Sequence, residues 1–254
     1  MRKVLRDTGL VFGRSFSQTV HNPVWIVVTL MQPLFYLFLF APLLEKITNA
    51  EGFPEGGAYN VFVPGLLVQL ALFGTVFVGF GIISELRYGV IERLQVTPIS
   101  RAALLFGRVL RDQVALIVQT IIIIVIAIPF GLSVEVLDAV VSIGLFLLIG
   151  ITFSSISYSL GLALKTEDAL APLLNAVVLP ALLLSGILLP MSLAPTWLQR
   201  IADVNPLSHV VDASRELFIG ELWSATVLRG TAVGLVMTVL ALWVGVRGFR
   251  KAAT

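Results

Sequence analysis

Six long apolar runs constrain this chain more than any other feature of its sequence. The runs are Val24–Leu44, Asn60–Ser84, Val114–Val134, Ala139–Leu164, Ala169–Pro190 and Val227–Val246. Asp, Glu, Lys and Arg are absent from the first five, and the sixth contains only Arg229. A helix of about 20 apolar residues spans the core of a bilayer, whereas the strands of a membrane barrel are about 10 residues long and alternate in polarity. The sequence therefore predicts an all-α, polytopic membrane protein, with six transmembrane helices in one domain of residues 1–254.

The composition excludes several other classes of protein. Hydrophobic residues make up 57% of the chain and charged residues 13%, whereas about 25% of a soluble globular domain is charged. The absence of cysteine excludes disulfides and thiolate metal sites, and two histidines leave little for a zinc or haem centre. A net charge of +2 does not indicate a nucleic-acid surface. We expect no metal site in this chain and no nucleic-acid partner.

The basic residues indicate how the helices are oriented. Most Lys and Arg side chains lie before the first run, between the second and third, between the fourth and fifth, and after the sixth. Cytoplasmic loops are the ones enriched in Lys and Arg. We therefore expect both the N-terminus and the C-terminus to lie in the cytoplasm.

Residues 1–23 precede the first run and predict an amphipathic helix. Apolar and small positions recur in it at helical spacing: Leu5, Thr8, Phe12 and Phe16. Asn22 and Pro23 end the helix before the first span. One interpretation is an elbow helix that lies along the inner leaflet. The alternative is a basic tail that only sets the topology.

The connection between the second and third runs, residues 85–108, is longer than a link between two spans requires. Thr97-Pro98 forces a turn, and Ser100 can cap the helix that enters the third span. The mixed charge of the segment suits docking onto a cytosolic protein partner. A surface loop that merely joins two spans is the alternative, and the residues alone leave both open.

The connection before the last run, residues 191–224, is too regular for a disordered loop. Pro195 can start one short helix, and Asn205 can cap a second that has Pro206 at its first position and Gly220 beyond its end. About 14 residues rise only about 21 Å, which is too short to cross the bilayer core. We expect a helical hairpin that dips into the outer leaflet.

Two charged residues of this second helix are spaced i,i+3. They are Asp212 and Arg215, and a salt bridge between them would lower the cost of half-burial.

The chain carries no recognisable energy source for transport. Carriers coupled to protons or sodium usually place ionisable groups at the midplane, and the runs have none there. A Walker motif needs a Gly-Lys pair, and the sequence has none. Energy for uphill transport would therefore have to come from another polypeptide.

An enzyme is a further alternative. Ser185-Gly186 in the fifth run, with His209 downstream, could serve an intramembrane serine hydrolase if the two side chains met. A Ser-Gly pair in an apolar helix is more often a packing or kink feature.

The fourth run carries small and polar residues close to a small-xxx-small pattern. They are Gly150, Ser154, Ser157 and Gly161. The pattern is typical of tight helix packing, within the chain or across a dimer. A polar lining for a passage is the second interpretation.

Two motifs give the whole chain a resemblance to the permease subunits of type-2 ABC transporters, and most of all to the daunorubicin-resistance type of drug exporter. The first, "NPLSHVVDASRELFIG", is similar to a family signature carried here by Asn205, Pro206, Asp212, Arg215 and Gly220, although His209 stands where an aromatic residue is common. The second, "RYGVIERLQVTPISR", matches at Gly89, Glu92, Leu94, Thr97, Pro98 and Ser100, although Val90 stands where Thr is usual.

The resemblance implies a coupling helix within residues 85–100 that grips a separate ATPase subunit. The residues expected to act there are Arg87, Gly89, Glu92, Arg93, Leu94, Thr97 and Pro98. It also implies a bacterial plasma-membrane protein that pairs with a second permease, identical or paralogous. Two cytosolic ATPase subunits would bind the ATP and Mg²⁺, so that this chain is not itself an enzyme and holds no cofactor.

The substrate class that the resemblance implies is a hydrophobic or amphipathic small molecule, such as a drug-like metabolite or a lipid. A lipid-linked glycan is the alternative within the family. A secondary carrier or an intramembrane serine hydrolase is the alternative outside it.

Overall fold

The computed structural model describes residues 2–21, 24–44, 57–95, 99–188 and 190–251, and every regular element in these ranges is helical. The α-helices are α1 Arg2–His21, α2 Val24–Phe35, α3 Ala41–Leu44, α4 Gly57–Val76, α5 Gly79–Arg87, α6 Val90–Gln95, α7 Arg101–Ala127, α8 Val136–Leu164, α9 Glu167–Leu183, α10 Thr196–Ala202, α11 Pro206–Phe218 and α12 Ala225–Lys251. A π-helical segment, Tyr36–Phe40, joins α2 to α3. The all-α prediction is confirmed.

Four helical stretches are long and apolar enough to cross a bilayer. They are Gly57–Arg87, Arg101–Phe130, Val136–Leu164 and Ala225–Phe249. A shorter apolar helix, Val27–Phe40, lies within the first predicted run. The chain is therefore a polytopic helical membrane protein, in which the first and fifth of the six predicted spans are shorter helices than the other four.

The fifth predicted span, Ala169–Pro190, extends beyond the end of the helix that the structure forms there. Helix α9 ends at Leu183, and the chain then turns through Gly186, whose φ of +72° lies in the left-handed region. Glycine adopts this conformation without the steric cost that a side chain brings. Apolar composition continues past the turn because residues up to Leu188 are still packed inside the protein, and composition alone therefore could not mark the end of the helix.

The third predicted span, Val114–Val134, also begins earlier as a helix. Helix α7 starts at Arg101, where the Ser100 hydroxyl accepts a hydrogen bond of 3.2 Å from the Ala103 amide, as the predicted cap requires. Much of the predicted coupling region, residues 85–108, therefore consists of the end of α5, the short helix α6 and the first two turns of α7.

The second span is broken between α4 and α5, at Phe77 and Val78. The Ser157 hydroxyl of α8 bridges this break: it donates to the Val76 carbonyl oxygen at 2.5 Å and accepts from the Gly79 amide at 2.9 Å. Buried backbone groups that a helix break frees must find other partners inside a membrane. A single hydroxyl supplies both here.

Helix α1 lies along the start of α7. Its protein-facing side is formed by Asp7, Thr8, Val11 and Ser15, all buried. The Asp7 carboxylate accepts a hydrogen bond from the Ser100 amide at 3.1 Å. Leu5 and Phe16 remain exposed on another side, so that the helix has one face for the protein and an apolar face free for lipid. Thr8 belongs to the protein face and not to the predicted apolar stripe.

Close helix packing makes Gly161 of α8 sensitive to substitution. A methyl group added at Gly161 would lie 2.7 Å from the Gly79 carbonyl oxygen and 2.7 Å from the Ile82 side chain. We expect Gly161→Ala to lower the free energy of unfolding by about 1–3 kcal/mol, which is the usual cost of overpacking. Gly144 lies on the same helix with open space around it. Gly144→Ala should therefore be neutral or stabilising, by up to about 1 kcal/mol. Thermal unfolding of the two variants in the same detergent makes the comparison, and equal destabilisation would contradict the packing argument.

Candidate functional site

One end of the bundle collects the N-terminal helix, the end of the C-terminal helix and α6; we call it the terminal end. A cluster of buried apolar side chains joins them. It comprises Val11, Ile82, Ile91, Leu104, Leu105, Val109, Tyr158, Leu162 and Phe249. Because these residues come from α1, α5, α6, α7, α8 and α12, the cluster packs six helices against one another.

Helix α6 is attached to this cluster through Ile91, which is buried. The turn before it passes through Gly89, whose φ of +65° favours glycine. Next to the turn, an Arg87 Nη2 to Glu167 Oε1 salt bridge of 3.3 Å links the end of α5 to the start of α9. Arg93 is exposed and donates a long hydrogen bond of 3.4 Å to the Tyr88 carbonyl oxygen.

The other predicted coupling residues lie outside the described part of the chain. These are Thr97 and Pro98, together with the side chains of Glu92 and Leu94. Their roles therefore remain predictions.

A salt bridge between α5 and α7 was not predicted from the sequence. Arg108 of α7 is 4% exposed and donates to Glu85 of α5 at 2.5 Å and to the Leu104 carbonyl oxygen at 2.9 Å. A half-buried salt bridge of this kind fixes α5 against α7 with a defined geometry. Helix α6 follows α5 directly, so the Glu85–Arg108 salt bridge lies at the end of the span that leads into α6.

A second network joins α7 to α8. The Arg111 Nη2 and Nε atoms donate to Asp112 Oδ1 at 2.5 and 2.9 Å, and the Tyr158 hydroxyl donates to Asp112 Oδ2 at 2.7 Å. Arg111 Nη2 also donates to the Tyr158 oxygen at 3.0 Å. We call this group the Asp112 triad.

The sequence contained a signal for both networks. Arg108, Arg111 and Asp112 are spaced i, i+3 and i+4, which puts them on one side of a helix. The spacing does not name the partners, because Glu85 and Tyr158 lie on other helices.

At the opposite end, which we call the hairpin end, α10 and α11 form the predicted hairpin. Asn205 caps α11 by accepting from the Leu207 amide at 3.1 Å, and Pro206 occupies the first position of the helix. The Asn205 amide also donates to the Ala181 carbonyl oxygen in α9 at 2.7 Å. Gly220 follows the helix with a φ of +90°. The cap therefore also ties the hairpin to α9.

The predicted Asp212–Arg215 salt bridge is present, but Arg215 of α11 is held mainly by backbone. It donates to the carbonyl oxygens of Val61 at 3.0 Å, Gly186 at 2.5 Å and Ile187 at 3.4 Å. The distance to Asp212 Oδ1 is 3.7 Å, and the Asp212 side chain is 52% exposed. Arg215 thus supplies donors to α4 and to the turn that ends α9, where helix termini leave carbonyls without partners. Asp212 is a peripheral partner.

Arg215 remains charged in this position. Burial lowers the pKa of Arg215 to about 10, and the neighbouring Asp212 carboxylate acts in the opposite direction. The guanidinium is thus protonated at neutral pH and keeps its donors.

Asn60 completes the hairpin end, and nothing in the sequence pattern indicated its role. Its amide nitrogen donates to the carbonyl oxygens of Ser133 at 2.8 Å and Phe218 at 3.0 Å, and its oxygen accepts from the Ser133 amide at 3.0 Å. One side chain therefore joins the start of α4, the α7–α8 connection and the end of α11.

The small and polar residues of α8 lie at helix contacts within the chain. Gly150 lies against Gln113 of α7, and Gly161 against Gly79 of α5. Ser157 bridges the α4–α5 break, and the buried Ser154 bonds to the Ile151 carbonyl oxygen in its own helix. These contacts give each of the four residues a packing or backbone role.

The geometry gives no support to a serine hydrolase. The Ser185 hydroxyl is buried and donates to the Leu182 carbonyl oxygen at 2.6 Å. His209 Nε2 donates to the Asp203 carbonyl oxygen at 3.1 Å. Each group is engaged with backbone, and a catalytic base must be within reach of its nucleophile.

Comparison with known proteins agrees with this architecture. The chain is similar to the transport permease ycf38 of Cyanophora paradoxa, with 30% identity over 86% of this chain and 76% of that protein. It is also similar to the daunorubicin resistance ABC transporter permease protein DrrB1 of Streptomyces coeruleorubidus, with 26% identity over 88% of this chain and 79% of that protein. The doxorubicin resistance ABC transporter permease protein DrrC of Mycobacterium tuberculosis is 20% identical over 100% of this chain and 91% of its own length.

A family model described as the ABC-2 type transporter matches residues 6–219, which extend from α1 to the end of α11. The match confirms the resemblance that the Asn205–Gly220 and Gly89–Ser100 motifs indicated. The chain belongs to the ABC-2 type transporter family.

Proposed function

We propose that this chain is the membrane-spanning subunit of an ATP-driven exporter, and that a hydrophobic or amphipathic small molecule is its substrate. A separate cytosolic ATPase, present in two copies, would bind the ATP and Mg²⁺ and dock on α6. A second permease would complete the passage. The drug-resistance permeases among the relatives support this substrate class over a lipid-linked glycan.

The proposal requires the terminal end to face the cytoplasm. The excess of Lys and Arg in the connections on that side supports this orientation in a plasma membrane. Helices α1 and α12 both contribute to the terminal-end cluster, as expected if the two termini lie on one side.

The attachment of α6 is the observation that carries the proposal. Helix α6 lies at the terminal end, where Ile91 seats it in a cluster shared by five other helices, and the Glu85–Arg108 salt bridge joins α5 to α7, two of those five helices. A partner that pushes on α6 would therefore move α5 and α7 together. The Asp112 triad would pass that displacement on to α8.

Charge reversal at Arg93 tests the docking of the ATPase. We expect Arg93→Glu to reduce co-purification of the ATPase and to uncouple ATP hydrolysis from export. An ATPase surface that complements the positive charge of Arg93 would repel the negative charge of the glutamate. Arg200→Glu is the matched control, since Arg200 is also exposed but lies in α10 at the hairpin end. Pull-down of the tagged permease and ATPase activity of the complex in proteoliposomes give the two measurements. Normal assembly and export by Arg93→Glu would argue against docking at α6.

A transport assay separates the remaining functions. Export that requires ATP and the ATPase subunit supports the proposal, whereas export driven by a proton gradient without nucleotide would identify a secondary carrier.

A further inference from the structure

A cavity of about 390 Å³ lies beside the Asp112 triad and has no role in the site described above. Helices α1, α2, α4, α5 and α7 all contribute to its walls, and it sits at the break between α4 and α5. Its volume falls within the range of about 300–1,000 Å³ typical of small-molecule sites. Because α1 forms one wall and has an apolar exposed face, the cavity borders the leaflet at the terminal end.

The end of the cavity near the triad offers hydrogen-bond donors. Arg111 lines it with a side chain that is 26% exposed, and Gln18 of α1 lines it as well. The Nε and Nη2 atoms of Arg111 are used by Asp112 and Tyr158, but its Nη1 makes no hydrogen bond to any residue in the described ranges. Two N–H donors therefore remain for an oxygen acceptor such as a phosphate or a carboxylate.

The adjacent walls are apolar and aromatic. Phe77 and Phe80 stack with ring centroids 5.8 Å apart and planes only 7° from parallel, and Leu116 of α7 lines the cavity with them. Gln119 lies deeper on α7, about 12 Å from Arg111 along the helix axis, and donates to Thr29 of α2 at 2.6 Å. The Gln119 amide and the Thr29 hydroxyl are thus hydrogen-bonded to each other. The surface between them and Arg111 is therefore mainly the apolar wall.

We infer that this cavity binds an amphipathic molecule with an oxyanionic head group at Arg111 and its apolar body against Phe77 and Phe80. It is the uptake site through which the exported molecule leaves the terminal-side leaflet. Because α1 borders the cavity, a molecule can enter it from that leaflet without crossing the bilayer centre. Movement of α4 relative to α5 at the break would change the shape of the cavity. The inference rests on the proposed function and names the substrate class and the place of uptake. A phospholipid and an exported amphiphile share this chemistry.

A single thiol tests the site. The chain contains no cysteine, so Ala115→Cys places its sole thiol on the cavity wall. The permease–ATPase complex in nanodiscs is treated with N-ethylmaleimide, and alkylation of the permease is followed by mass spectrometry with dodecyl phosphate, dodecanol or inorganic phosphate present. Ala232→Cys on α12 is the control, since Ala232 is exposed and lies outside the cavity.

Dodecyl phosphate at ten times its Kd should slow alkylation of Ala115→Cys about tenfold, as saturation of one site requires. Dodecanol should protect less and inorganic phosphate not at all, while Ala232→Cys reacts at one rate throughout. Adding Arg111→Gln should abolish the preference for dodecyl phosphate over dodecanol. If the amphiphile is taken up for export, Mg-ATP turnover should remove the protection.

Two results would overturn the inference. Equal alkylation with and without dodecyl phosphate would show that the cavity does not bind such molecules. Protection that persists during ATP turnover would identify a resident lipid and not a transported molecule. ATP-dependent export by the unsubstituted complex is measured separately, so that failure of this site and failure of the exporter function give different results.

Discussion

Arg215→Gln should sharply reduce the yield of folded protein, whereas Asp212→Asn, three residues earlier, should leave it close to wild type. Arg215 is 7% exposed and donates to the carbonyl oxygens of Val61, Gly186 and Ile187. The shorter, neutral glutamine cannot reach all three, and each buried carbonyl left without a donor costs about 1–3 kcal/mol. With two or three carbonyl oxygens left without a donor, the expected loss in the free energy of unfolding is about 3–5 kcal/mol.

Asp212→Asn removes only a long contact from a half-exposed carboxylate. Exposed ion pairs contribute about 1 kcal/mol or less. Thermal unfolding monitored by size-exclusion chromatography in detergent compares the two variants, with Arg200→Gln as a control for the loss of an exposed arginine. Equal loss in Asp212→Asn and Arg215→Gln would contradict the conclusion that the backbone carbonyls, and not Asp212, are the main partners of Arg215.

The second large effect is expected at the Asp112 triad. Asp112 is 7% exposed and binds Arg111 through one carboxylate oxygen and the Tyr158 hydroxyl through the other. Asp112→Leu leaves the guanidinium and the hydroxyl without their acceptor, at an expected cost of about 3–5 kcal/mol. Tyr158→Phe removes one hydroxyl and should cost about 1–2 kcal/mol.

A double-mutant cycle between Asp112→Asn and Tyr158→Phe measures the coupling directly. Groups within one buried network couple by about 0.5–3 kcal/mol. Asp168→Asn is the control, because Asp168 is an exposed acidic residue on α9. The triad is also proposed to transmit movement from α6 to α8. If it does, the permease–ATPase complex that carries Asp112→Asn and Tyr158→Phe should still hydrolyse ATP but should no longer export substrate. Additive effects of Asp112→Asn and Tyr158→Phe would contradict the network.

Features that depend on neighbouring residues in the sequence were predicted well. Ser100 and Asn205 cap helices as expected, and Pro206 and Gly220 lie at the start and beyond the end of α11. Capping depends on a side chain and an amide two or three residues away, so the information is local. The apolar runs likewise indicate helices because the bilayer requires each span to satisfy its own backbone.

Features that depend on contacts between distant residues were not predicted. The backbone partners of Arg215 lie 28 to 154 residues away in the chain, and those of Asn60 lie 73 to 158 residues away. The Ser100 cap indicated where α7 starts, but the burial of its first turns was not predicted, because charged residues look solvated in sequence. In the structure, Arg108 and Asp112 are buried against α5 and α8.

The sequence by itself determined that the chain is a helical membrane protein and carried the motifs of its family, since both follow from apolar run length and from short local patterns. Tertiary structure alone decided where buried charge is placed: Arg215 at the hairpin end, and Arg108, Arg111 and Asp112 at the terminal end. A charged group is tolerated inside a membrane protein only where partners surround it. Those partners come from several helices at once, and no single stretch of sequence contains them.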